Sequence, residues 1–506
     1  MSKCPHLLLS KNSSTMKRLV YILFGLLWLV YGFAYSVALS HVLFYHEQHH
    51  LFLFSSAYFE HCIESEGGLG YATNFLIQFF HVPLLGSALL ALCLALVYLL
   101  AQLAIRRLTG KFDLLQLSVL PSLLLFLHTM EASHSIQPVM GTLLALLALH
   151  LVLFLLKRFT SLLPLFPLPP LPHRKLSVAV VSLALLAYAA YGSHRFYHAF
   201  NHSERIMLRA EQAVKARQWD EVLTFTRRYL ASGRSNQLIS YFHHLALYHQ
   251  GQLFERLLEY PQRLGVQALY FPWNSDSRES EYGHFLYEDL GYLNEAQRWE
   301  FESMVVWGET APHLRNLARY NIAIGRPRVA QRFLNKLKQS LFYRSEAQEL
   351  ETLRDSGRVP GLHNALAGVE DVPTRFANVM NIGPELQYLC EHDSTNRMAY
   401  EYLMCQLLLS NHVVRFVDNL NTLAHFAPAE RPALFEEALY IYRLGIGEEK
   451  FAETGLTLRP ETARRFQRYY GLLQSKQMET LRQEFGRTYW YYLNFLSPYG
   501  NKVLTD

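Results

Sequence analysis

The sequence predicts an all-α chain, with an N-terminal bundle of five transmembrane helices followed by an α-solenoid of helical hairpins. Three observations carry this. Charge is partitioned: residues 1–192 hold 11 Lys and Arg against 6 Asp and Glu, whereas residues 193–506 hold 36 of each. Uncharged apolar runs recur in the first part, and each is close to the roughly 20 residues that a helix needs to cross a bilayer. From residue 203 onward the apolar residues follow helical spacing and are broken by short glycine turns.

Residues 1–18 read as a cytoplasmic N-terminus closed by Lys17-Arg18. The first crossing is 19–40. Ser36-Val37-Ala38 has the small-x-small look of a cleavage site, but the apolar core is long for a signal peptide, which favours an uncleaved anchor. The second crossing is 84–105, preceded by uncharged residues 71–82 suited to the interface. The third is 114–130, bent or started by Pro121, and the fourth is 137–156. The fifth is 176–192, with Tyr188 and Tyr191 near its end, where aromatic rings favour the membrane boundary. Lys17-Arg18, then Arg106, Arg107 and Lys111, then Lys157, Arg158, Arg174 and Lys175 mark every second loop as basic. The intervening loops carry Glu47, Glu60, Glu64, Glu66 and Glu131 and no Lys or Arg. Basic loops stay inside, so residues 193–506 are expected outside. This predicts a multipass protein of the cytoplasmic (inner) membrane with a periplasmic C-terminal part. Pro164, Pro167, Pro169, Pro170 and Pro172 make the fourth loop a stiff, extended strut.

The second half, 203–497, repeats loosely. Turns fall at Gln218-Trp219-Asp220, Gln250-Gly251-Gln252, Leu290-Gly291-Tyr292, Ile324-Gly325-Arg326 and Ser410-Asn411-His412. Tyr287–Ala296 and Leu317–Arg326 show the pattern best: a helix, a glycine turn, then a second helix. This resembles tetratricopeptide repeats, whose period is 34, although bulkier side chains fill most of the small-residue positions. The resemblance implies stacked hairpins with an extended binding surface, fitting a protein or envelope partner. The half is electrically neutral, which argues against nucleic acid, since binding it needs basic surface. The aromatic runs Tyr270-Phe271-Pro272-Trp273 and Tyr489-Trp490-Tyr491-Tyr492 read as interhelical packing rather than a ligand platform. The five cysteines form no C-x-x-C motif, and Cys390 and Cys405 are either a pair or two buried thiols.

Loop one reads Glu47-Gln48, Gly67-Gly68-Leu69, Tyr71, Phe75-Leu76 and Gln78-Phe79-Phe80, with Pro83 and Gly86 after it. By this loop and its layout the whole chain resembles uncharacterised bacterial multipass membrane proteins with tetratricopeptide-like C-terminal domains. That resemblance implies architecture and no activity.

Candidate chemistry concentrates in the two expected outer loops, with Glu47, Glu60, Glu64 and Glu131 as candidate catalytic carboxylates. His46-Glu47-Gln48-His49-His50 fits H-E-x-x-H, which on a helix sets His46 and His50 on one side for zinc, with Glu47 as base. His61, Glu64 or Glu66 would then supply a third ligand. The cofactor these residues would take is a divalent metal. A second enzymatic reading is a transferase using lipid-linked sugar donors, with Glu47, Glu60 or Glu64 as base or ion ligand. The plainer reading of loop one is an interfacial helix with a solvated face. The leading expectation for function is therefore non-catalytic: a membrane-anchored interaction scaffold, with a membrane enzyme as the alternative.

Overall fold

The structure is a computed structural model that describes residues 5–159, 164–166, 174–272, 278–367 and 381–500. Most prolines of the fourth loop, Pro167, Pro169, Pro170 and Pro172, lie outside these, as does Trp273. The described residues are helical with no strand. They divide into two compact units. One comprises Met1–Arg205, Glu309–Pro312 and Asn335–Ala347; the other comprises Ile206–Gly308, His313–Leu334 and Gln348–Asp506.

The first unit is built from α1 (Pro5–Phe33), α2 (Ser40–His49), α3 (Ser56–Ser65), α4 (Gly67–Ile77), α5 (Pro83–Thr109), α6 (Val119–His128), α7 (Gln137–Phe159) and α8 (Arg174–Ala199). Helix α5 is its centre and packs against α1, α6 and α7. Pro83 opens it at a position where the missing N–H costs nothing, and Gly110 closes it in the left-handed conformation, φ 72°. Leu90, Leu94, Val97 and Tyr98 are fully buried along it. Gly86 is required by close approach, because a Cβ there would meet Phe80 Cα at 2.8 Å. Among the described residues, four helical stretches are long and apolar enough to cross a membrane: Arg18–Ala38, Pro83–Thr109, Gln137–Phe159 and Leu176–Ala199. The last two leave large apolar side chains exposed, among them Leu151, Phe154, Leu183 and Leu186. Such surfaces are rare on a protein surrounded by water.

The third expected segment, 114–130, differs. It is helical only over Val119–His128, about 15 Å at 1.5 Å per residue, half the roughly 30 Å hydrocarbon thickness. Residues 113–118 are non-helical, and Gln116 takes φ 51°. Their polar groups are bonded within the protein. The Ser118 N–H donates to Asp113 Oδ2 (2.8 Å), Gln116 Nε2 donates to the Asp113 carbonyl (2.6 Å) and Ser118 Oγ donates to Gln102 Oε1 (2.8 Å). Further along, Ser122 Oγ donates to the Leu94 carbonyl (2.8 Å), and Thr129 Oγ1 bonds Tyr35 OH (2.5 Å) near the end of the first apolar helix. Pro121 falls in the first turn of α6, where a proline is tolerated.

The second unit is built of short helices, several of them packed in consecutive pairs. Gln237–His249 packs on Trp219–Leu230, Gly283–Asp289 on Leu293–Trp307, and Gly383–His392 on Arg397–Leu409. The turn glycines Gly251, Gly291 and Gly325 take φ 63°, 70° and 75°, values a side chain would resist. Both aromatic runs go into the core: Tyr270, Phe271, Tyr489, Trp490 and Tyr492 are buried. Tyr489 OH donates to the Leu408 carbonyl (3.0 Å) and Trp490 Nε1 to the Glu437 carbonyl (3.0 Å). Cys390 and Cys405 are both free thiols.

Candidate functional site

Loop one of the first unit folds around Glu47. Helix α2 carries it and ends at His49, because His50 turns extended at φ −129° and ψ 134°. Ser55 then caps α3 by accepting the Tyr58 N–H (3.1 Å). Gly67, at φ 72°, turns the chain into α4, and a short 3-10 turn, Gln78–His81, brings His81 back to α2. Residues 335–347 complete the site from much further along the chain. The Phe54 N–H donates to the Gln339 carbonyl (2.9 Å). The Phe342 ring stacks on His81 with centroids 5.1 Å apart, and Tyr343 meets His81 edge-on at 4.9 Å.

Glu47 is 8% exposed and receives three donors. Gln48 Nε2 donates to Oε2 (2.5 Å), His81 Nδ1 bonds Oε1 (3.2 Å), and Tyr343 OH donates to Oε1. Burial works against its charge, but the bonds from His81, Tyr343 and Gln48 outweigh it and hold the carboxyl below its ordinary range. Glu47 is therefore a carboxylate, and His81 donates to it through Nδ1. Beside it, lined by His50, Phe52, Gln78, Ser340 and Phe342 among others, is a cavity of about 10 Å³. That is room for roughly one water.

The other predicted residues are dispersed around this centre. His46 is buried against the backbone of His134. Burial, then the neighbouring His50 and His49 rings, push it down to about 3, so it is neutral. Loops one and three thus meet at His46. His50 is also lowered by burial, and its Nδ1 bonds the His46 carbonyl (2.9 Å). The His46 and His50 rings lie 5.6 Å apart. Glu60, His61 and Glu64 are exposed on α3. Glu131 is exposed too and bonds Ser133 (3.0 Å) and His134 (3.5 Å). Glu66 Oε2 accepts from Asn74 (3.2 Å). Among the described residues no three His, Cys, Asp or Glu side chains converge as a metal set. Of the H-E-x-x-H pattern, the structure gives Glu47 a hydrogen-bonded cradle and leaves the two histidines without a third ligand beside them.

Sequence reasoning missed a second cluster, in the second unit. His249 Nε2 bonds Asp289 Oδ2 (2.9 Å), and Arg217 spans Asp289 (2.7 Å) and Glu288 (2.6 Å). Arg319 (3.3 Å) and the Tyr320 hydroxyl also reach Glu288. Tyr320 OH bonds His284 Nδ1 (2.8 Å). Glu300 then joins His284 Nε2 (3.2 Å) to His313 Nδ1 (2.8 Å). Burial opposes charge on Asp289 and Glu300, yet their partners, His249 and Arg217 for the first and His284 and His313 for the second, hold both below the ordinary range. The signal was present: Glu288-Asp289 and Arg319-Tyr320 sit in the two segments singled out for their helix–glycine turn–helix pattern, and the side chains of those segments bond each other.

A family model of unknown function (DUF6057) matches residues 13–199 and 171–496. The chain belongs to this family. The two matches together cover almost all of both units, so loop one, residues 335–347 and the buried cluster of the second unit all fall within them. Neither a curated protein nor a solved structure matches the chain.

Proposed function

We propose that the chain is a membrane-anchored interaction scaffold, with its helical C-terminal part outside the cytoplasmic membrane. One observation carries the non-catalytic reading. Glu47, the strongest catalytic candidate, has three donors and adjoins a cavity sized for one water. A base acting on a substrate needs reach to the proton it takes, and the space beside Glu47 has room for about one water. Its carboxylate serves instead as the tie that fixes residues 335–347 to loop one.

The anchor has five crossings. Four are the long apolar helices, and the third is completed by residues 113–118 ahead of α6. Non-helical backbone is tolerated at membrane depth where protein satisfies its polar groups, as Asp113, Gln102 and Gln116 do here. The alternation of basic and acidic loops along the sequence supports an N-terminus in the cytoplasm. The C-terminal part is a degenerate tetratricopeptide-like solenoid, and its partner is protein or envelope material. On Leu293–Trp307 the side chains of Phe301 and Val305 are exposed one turn apart, an apolar surface suited to such a partner.

A photo-crosslinking residue placed at Val305 in cells tests the reading. A discrete adduct is expected, kept in Glu47→Gln and lost in Phe301→Ser. Absence of any adduct from this face, or loss of the adduct in Glu47→Gln with the fold intact, would sink the scaffold reading. An alkaline phosphatase fusion after Gly192 is expected to be active; an inactive one would reverse the topology.

A further inference from the structure

The second unit contains a cavity of about 270 Å³ with a one-sided lining. Arg234, Arg263 and Arg482 border it with His243, His244 and Gln262, and no Asp or Glu does. All three arginines are exposed at its rim. Arg263 and Arg482 are held by no ion pair among the described residues. Glu259, next to the rim residue Tyr260, is committed to Arg256 at 2.5 Å. The guanidinium forks of Arg263 and Arg482, with no acidic side chain in the lining, favour an anion with paired oxygens, a phosphate or a carboxylate.

The inner wall adds a second requirement. His244 is satisfied by the protein: its Nδ1 bonds the Ala268 carbonyl (2.9 Å) and its Nε2 receives Gln262 Nε2 (3.2 Å). His243 is not. It is 1% exposed, and its Nε2 is buried with no partner. Thr226 Oγ1 donates to the Val222 carbonyl (2.8 Å), so its lone pair is left to accept from His243 Nδ1 (3.0 Å). The ring proton is thereby placed on Nδ1. Burial, then His244, Arg227 and Arg256, push His243 down to about 2, so the ring is neutral and Nε2 is a bare acceptor. A buried acceptor without a donor is costly, and a ligand hydroxyl would recover that cost. The volume equals about nine waters at ~30 Å³ each, the size of one ring sugar with an anionic group.

We propose that this cavity binds a small hydroxylated anion of the sugar-phosphate or sugar-acid class. The arginines hold the anionic group, and His243 Nε2 accepts from a hydroxyl. This assigns the C-terminal unit a small-molecule site beyond any role in holding a partner.

Titration calorimetry on the detergent-purified full chain tests it with four probes: glucose 6-phosphate, glucuronate, sulfate and glucose. At least one sugar anion is expected to bind saturably and at least tenfold tighter than sulfate, with glucose silent. Binding of glucose 6-phosphate alone assigns a phosphate, and of glucuronate alone a carboxylate. The double variant Arg263→Ala/Arg482→Ala alters exposed side chains only, and is expected to lose at least tenfold for every anion with an unchanged helical spectrum. His243→Asn keeps a donor for Thr226 and removes Nε2, so sugar-anion affinity should fall to the sulfate level while sulfate affinity stays. No saturable binding of either sugar anion, full affinity in the double arginine variant, or glucose binding as well as its phosphate would overturn the proposal. Sulfate binding as tightly as both sugar anions to the unaltered protein would overturn the hydroxyl contact without any need for His243→Asn to fold.

Discussion

Glu47 in the first unit and Glu300 in the second are both buried carboxylates held below their ordinary range, and they are satisfied in opposite ways. Glu47 ends a short tie. Its donors come from its own helix, from the 3-10 turn 34 residues on, and from Tyr343, 296 residues away. Glu300 lies within a chain of bonded groups that runs from His313 through His284, Tyr320, Glu288 and Arg217 to Asp289 and His249. A tie fixes one segment, and its loss frees that segment. A connected buried network fixes several helices together, and removing a member leaves its neighbours buried and unpaired. The two carboxylates should therefore differ in both the size and the reach of the damage when removed.

The largest effect is expected from Glu300→Ala. Breaking a buried pair by removing one partner costs about 3–5 kcal/mol, and here His313 loses its acceptor and His284 the carboxylate that faces it. Hydrogen exchange should rise at least a hundredfold across Leu293–Trp307 and Gly283–Asp289. An increase confined to the residues flanking position 300 would break the comparison, because the network would then be no more than a series of local contacts. The pH dependence follows from the depressed carboxyls. Asp289 and Glu300 contribute stability at neutral pH that is lost as pH falls through their lowered folded values. The second unit should accordingly loosen in acid, and less so in Glu300→Ala.

Glu437 sharpens the comparison because it is buried and inadequately paired. It accepts the Tyr489 N–H (2.8 Å) and faces half-exposed Arg465 (3.2 Å). Burial prevails over both and raises it from 4.5 to about 7. An acid raised on folding favours the protonated native state. Its contribution is fully present below about 4.5 and is lost as pH rises to about 7, on the order of 3 kcal/mol at ~1.4 kcal/mol per unit. Glu437→Gln should remove that slope, so the variant gains on the parent in melting temperature between pH 5 and pH 8. Equal slopes for both would mean that Arg465 holds the carboxylate charged throughout.

Glu47→Ala is expected to cost about 2 kcal/mol, the scale for stranding buried donors. Its effect should be confined to residues 335–347 and the Gln78–His81 turn, read as roughly thirtyfold faster exchange there. Loosening that spread along α5 would make Glu47 a global support like Glu300 and erase the distinction.

What the sequence made legible divides along the same line. Apolar length and charge are properties of a segment, so four long apolar helices could be read directly. The third segment could not, because an uncharged run does not report that residues 113–118 leave the helix and bond Gln102, which tertiary structure alone supplies. Turn glycines were legible, since positive φ at Gly251, Gly291 and Gly325 needs that residue. Glu47 was legible as a candidate by residue type, but its role was not. That role depends on His81 and Tyr343, and no local pattern links positions so far apart. Likewise Glu288 and Tyr320 appeared as polar positions of helices, where a solvated face and a buried network share one spacing. Residue type located the carboxylate; only the fold supplied its partners Gln48, His81 and Tyr343.

The smallest change isolates that tie. Tyr343→Phe removes one hydroxyl and keeps the ring against His81. A hydrogen bond to a charged group is worth about 1.5–3 kcal/mol when both partners are otherwise unaltered, but Gln48 and His81 still donate to Glu47, so about 1 kcal/mol is expected. In Glu47→Gln/Tyr343→Phe the second change should cost almost nothing, because the bond it removes is already weakened. Coupling near 1 kcal/mol in this double-mutant cycle, read from exchange over residues 335–347, would establish that Tyr343 acts through Glu47. Additive effects would mean that the segment is held by Phe342 and the Phe54–Gln339 backbone bond, with the carboxylate a bystander.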